Sequence, residues 1–129
     1  MKKMDNTTNS INWFEIPVTE IGRAKKFYQT IFDVQLTDMD MGEMKMAAFP
    51  YEPMSGKATG ALAQSPNHKP STEGTVIYLN ANPNLQTVLD KVEGAGGNIA
   101  SPKMAIGENG HIAFVMDTEG NLVGLHSGE

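Results

Sequence analysis

Three histidines, fifteen carboxylate side chains and no cysteine are the groups with which this chain of 129 residues can do chemistry. Without cysteine, thiolate nucleophiles, thiolate metal sites and disulfides are all excluded. Glu15 lies in the apolar run INWFEIPV, where strand alternation sets it on the same face as Trp13. The same alternation places Tyr78 and Asn80 on the face of Val76, and His126 on the face of Gly124. A carboxyl group in partly apolar surroundings holds its proton more tightly than usual. Glu15 and His126 are therefore the candidate residues for general acid–base work. The alternative stays open: Glu15 at a solvated strand position and His126 as a simple terminal-strand residue.

Other stretches that look chemical fail on spacing. Ser55-Gly56-Lys57 has Tyr51 where a phosphate loop needs its first glycine, and Ala58 where it needs Ser or Thr. Gly94 to Gly97 follows a helical pattern instead of opening one, so it is a helix stop and no dinucleotide fingerprint. His68 sits in a polar connection and His111 beside the Asn109-Gly110 turn. Neither has a neighbouring ligand at metal spacing, and both are expected at the solvent surface. A turn at Gly42-Glu43 would pair Met41 with Met44 and Met39 with Met46, gathering four thioethers on one face. Core or dimer packing is the favoured use of that face. Adaptable ligand contact comes next and Cu(I) last, because no Cys or His interleaves the methionines.

The elements that must position these residues follow from periodicity. Residues 1–10 are polar and aperiodic and read as a tail; one domain covers 11–129. Its first module, 11–65, opens with a strand ending at Pro17. A helix follows, which Thr19 can cap, with Ile21, Ala24, Phe27, Tyr28 and Ile31 on one face. Three strands complete the module: the methionine hairpin, then a short strand within GKATGALAQ. The linker 66–73 belongs to the stretch SPNHKPSTE, which has two prolines and no apolar residue. The second module, 74–127, repeats the order. TVIYLNAN is a strand, Asn82 and Pro83 suit a helix start, Leu85, Val88, Leu89 and Val92 share a face, and NIASPKMAI, HIAFVMD and NLVGLHS are strands. The expected fold is α+β, two tandem βαβββ modules with curved mixed sheets.

With the helix ending AKKFYQTIFDV and the last hairpin's Asp117, Gly120 and Asn121, this arrangement resembles the vicinal-oxygen-chelate superfamily of glyoxalases, bleomycin-resistance proteins and extradiol dioxygenases. The resemblance covers nearly the whole chain beyond the tail. Asp33 departs from it, standing where the family usually has glycine. The resemblance implies that the sheets form a cup and that four strand positions face into it. Those positions classically hold a divalent metal, and here they fall on Trp13, Ala61 or Leu62, Val76 and Gly124. None is a usual donor, so the resemblance implies a member with neither metal nor other cofactor. It also brings Trp13, Glu15, Tyr78, Asn80, Gly124 and His126 into one ligand-binding cup.

A net charge of −5 with scattered lysines argues against nucleic acid as a partner. No run approaches the roughly 20 apolar residues of a membrane span, so a soluble, cytoplasmic protein is expected. The expected function is binding of a small, partly apolar molecule by a homodimer. The alternative is a lyase, isomerase or dioxygenase-type enzyme of the same superfamily acting on a small carbonyl or aromatic substrate.

Overall fold

Alternation, one glycine turn and an amphipathic helix build the first half of the chain. The computed structural model describes residues 2–129. Strand β1 (Trp13–Pro17) leads into helix α1 (Ile21–Phe32), then β2 (Thr37–Met41), β3 (Met44–Ala48) and β4 (Thr59–Gln64). Gly42 takes φ +75°, which glycine adopts without strain, and the turn pairs Met41 with Met44 and Met39 with Met46. Helix α1 buries Ala24, Phe27, Tyr28 and Ile31 and ends at Asp33, which accepts the left-handed conformation at φ 53°.

The second half repeats the order: β5 (Tyr78–Asn80), α2 (Leu85–Val92), β6 (Asn98–Ala105), β7 (His111–Met116) and β8 (Leu122–Ser127). Strand β5 is shorter than TVIYLNAN suggests, because the chain pairs with β8 over only three residues. The start of α2 also differs from expectation. Asn84, not Asn82, is the cap, its side chain accepting the Gln86 amide at 3.0 Å. Strand β6 loses register against β7 around Ser101 and Met104, where Pro102 has no N–H to give.

Each module forms a four-stranded mixed sheet, in the orders β1-β4-β3-β2 and β5-β8-β7-β6, with the β1–β4 and β5–β8 pairs parallel. One face of each sheet and both helices share a single core, running from Ile16, Ala47 and Leu62 through Phe27, Tyr28, Leu85 and Val92 to Val115 and Leu125. The opposite face of the first sheet holds a second cluster, Met46, Ala48, Ala61 and Ala63, flanked by Met39 and Met44. The corresponding face of the second sheet carries Tyr78, Ile112, Phe114, Met116, Leu122 and His126 by register. These two faces, turned away from the helices, are where the candidate residues lie. Among the described residues, no helix is long and apolar enough to cross a membrane.

The modules are tied together by buried polar groups. Thr19 does not cap α1, and Glu20 at the N-cap makes no side-chain cap bond. Gln64 Oε1 accepts the first helical amide, Ile21, at 2.7 Å, and Glu119, from the turn between β7 and β8, holds the residues just before the helix. It receives the Thr19 and Glu20 amides at 3.0 and 2.9 Å and the Arg23 Nε at 2.8 Å. Burial alone would push its carboxyl up. The bonds from Arg23, the Glu20 amide, Thr118 and Thr19 overcome that and hold it at about 2. Beside it the buried Tyr28 hydroxyl donates to Asp117 at 2.7 Å, and Asn121 donates to both Asp117 and the Pro17 carbonyl.

Candidate functional site

Strand β1 pairs with β4 on one side only, so its other edge is open. Along that edge runs a cavity of about 390 Å³, with Trp13 and Glu15 on one wall. Lys69 and Glu73, from the connection between the modules, and Thr75 and Ile77, which lead into β5, also line the cavity. Trp13 is 39 % exposed, consistent with a ring that borders a cavity instead of lying beneath a helix.

Glu15 makes two side-chain contacts at this site. Its Oε2 accepts the Trp13 indole N–H at 3.1 Å, and its Oε1 lies 2.8 Å from His68 Nε2. His68 Nδ1 in turn lies 2.7 Å from the Ser65 hydroxyl, which also accepts the Asn67 amide. A continuous chain therefore runs Trp13, Glu15, His68, Ser65. It corrects two expectations. The His68 hydrogen bond, with a smaller contribution from Trp13, outweighs burial and holds the Glu15 carboxyl below its usual range, not above it. The histidine that Glu15 meets is His68, which is part-buried, and not His126.

His126 instead places its Nε2 2.6 Å from the Asn109 carbonyl, on the open face of the second sheet. Tyr78 pairs in register with Gly124, and its ring lies directly over that glycine: a Cβ at 124 would sit 2.5 Å from the ring. The Tyr78 ring also meets Phe114, with centroids 5.6 Å apart. Asn80 spends its Oδ1 on the Asn82 amide and side chain. The six candidate residues thus divide into two groups. Trp13 and Glu15 line the cavity, whereas Tyr78, Asn80, Gly124 and His126 share β5 and β8 of the second sheet and do not line it. His111 is part-buried rather than exposed, and its Nδ1 is buried without a partner among the described residues.

Sequence reasoning missed His68, Lys69 and Glu73. Ser65 and His68, three apart around Pro66, carried a turn signal that could have suggested their own bond. Nothing local could have paired His68 with a strand 53 residues earlier.

The fold finds its match among known proteins. The sequence signature of the Glyoxalase/Bleomycin resistance protein/Dioxygenase superfamily covers residues 10–125. The chain belongs to that superfamily. It is 30% identical over 131 residues to CFP32 of Mycobacterium bovis and of Mycobacterium tuberculosis, whose name assigns it provisionally as a glyoxylase. That match takes in 96% of this chain and 48% of CFP32, so the chain spans about half the length of these curated relatives. Among solved structures, TnmS3, an antibiotic binding protein from Streptomyces sp. CB03234, aligns with TM-score 0.66 at 16% identity over 95% of this chain and 98% of its own. A glyoxalase I variant from Zea mays aligns with TM-score 0.64 at 18% identity, over 91% of this chain and 45% of its own. At such identities, only the fold is shared.

Proposed function

We propose that this superfamily member is a binding protein that holds a small, partly apolar molecule without a bound metal, in the cavity along β1. The observation that carries the reading is the cavity itself, with an aromatic wall at Trp13 and a fixed carboxylate at Glu15. TnmS3 is named for antibiotic binding, but the likeness to it is of fold, so the reading rests on the site. The superfamily's metal does not fit the residues at its inherited positions. Trp13 offers an N–H donor already given to Glu15, Ala61 or Leu62 and Val76 offer hydrocarbon, and the space above Gly124 is taken by the Tyr78 ring. A divalent cation needs imidazole, carboxylate or thiolate donors. Native mass spectrometry of the purified protein tests the reading. A bound small molecule, lost in a Trp13→Ala variant that still folds, is expected; a bare chain after gentle purification and after incubation with small aromatic compounds would contradict it.

The same reading includes a homodimer. It is supported by the apolar open faces, where Met41, Tyr78 and Met104 are 58%, 47% and 50% exposed. Relatives about twice as long also point this way, since two copies of this chain would match one of theirs.

One observation favours the enzyme alternative, the chain of hydrogen bonds from Glu15 through His68 to Ser65. It gives a cavity carboxylate a route for proton exchange, as removal of a proton next to a carbonyl would need. Loss of that proton's signal in D₂O across a panel of small carbonyl compounds, abolished in Glu15→Gln and His68→Asn, would establish it.

A further inference from the structure

We infer that the cavity along β1 selects a ring-bearing organic cation, a protonated amine, over its neutral and anionic counterparts. The inference rests on the binding reading and names its ligand class. The wall at Trp13 is an indole, the aromatic ring that attracts a cation most strongly. Beside it Glu15 has one hydrogen bond on each oxygen, from Trp13 at 3.1 Å and with His68 at 2.8 Å. A carboxylate has about four lone-pair sites, so two remain for an ammonium N–H. The bonds to His68 and Trp13 also keep this group ionised at neutral pH, since they hold its carboxyl below the usual range.

The lining adds a second carboxylate, Glu73, and its one cation, Lys69. Two carboxylates against one ammonium leave the lining with an acidic balance, in a chain whose net charge is −5. An anionic guest would have Lys69 alone to meet it and two carboxylates to repel it. A neutral guest would gain ring contact with Trp13, Ile77 and the other apolar lining but leave the acidic groups without a partner. The remaining polar lining is neutral. Ser71 already accepts the Glu73 amide, and Asn121 is committed to Ser71, Pro17 and Asp117.

Because Trp13 is the only tryptophan, its emission reports the cavity without labelling. The full chain is titrated with 4-phenylbutylamine, 4-phenylbutanol and 4-phenylbutyrate, which share ring and reach and differ in charge. The amine is expected to bind about tenfold more tightly than the alcohol, with the carboxylate weakest. Glu15→Gln should narrow that gap. So should Glu73→Gln, which leaves the Trp13 contact with Glu15 in place. Equal affinity for amine and alcohol would overturn the charge selection while leaving the binding reading intact. Tightest binding of the carboxylate would reverse the inference in favour of Lys69. No response to any of the three would remove both the selection and the binding reading.

Discussion

Replacing Glu119 by glutamine removes the charge on which the first turn of α1 rests, with almost no change of shape. The side chain is fully buried and receives Thr19, Glu20, Arg23 and Thr118 donors between 2.8 and 3.0 Å. Its carboxyl is held at about 2 against an ordinary 4.5. Each tenfold in acidity is worth about 1.4 kcal/mol, so folding gains about 3 kcal/mol from this group once it is ionised in both states. A folded-state value below the unfolded one stabilises above the unfolded value and stops doing so as pH falls through the folded value. The difference between wild type and E119Q should therefore stand at about 3 kcal/mol near pH 7 and close between about pH 4.5 and pH 2. Urea unfolding followed by circular dichroism at several pH values reads this directly, and a melting-point loss of about 10 °C should accompany it. A difference under about 0.5 kcal/mol near neutrality, or one unchanged down to about pH 3, would refute the reasoning. The contacts would then be geometric only.

Tyr28→Phe should cost about 1.5 to 3 kcal/mol by the same denaturation assay, because it takes one donor from the buried Asp117 carboxylate. Elemental analysis of the purified chain should find well under one Zn, Ni, Mn or Fe per molecule, and added Zn²⁺ should leave the melting point unchanged. Light scattering should give twice 14.0 kDa, and Met41→Lys together with Met104→Lys on the open faces should shift it towards 14.0 kDa.

Much of the fold was legible because local rules and tertiary structure agree. The Gly42-Glu43 turn fixed the pairing of Met39 with Met46, and the apolar stripe of α1 gave its buried face residue by residue. What failed was non-local. Thr19 is a sound cap by type, yet the Ile21 amide is taken by Gln64, 43 residues away, and Thr19 itself donates to Glu119, 100 residues away. Asn82 and Asn84 are equally good caps in sequence, and only docking of the chain against β8 distinguishes them: Ser127 Oγ accepts the Leu85 amide at 2.9 Å. At the site, alternation put Trp13 and Glu15 together on one face. The environment of Glu15 is not legible there, because the group that sets it, His68, lies in a segment whose polarity reads only as surface loop.

The claim that a small molecule binds beside Trp13 is tested most directly by the indole N–H resonance of that residue, the one such signal the chain can give. In a ¹⁵N-labelled sample titrated with 4-phenylbutylamine, that resonance should move saturably. The amides of Thr75, Ile77 and Ser71, which line the same cavity, should move with it. An indole signal that stays fixed while shifts gather elsewhere, for instance around β2 and β3, would contradict the account.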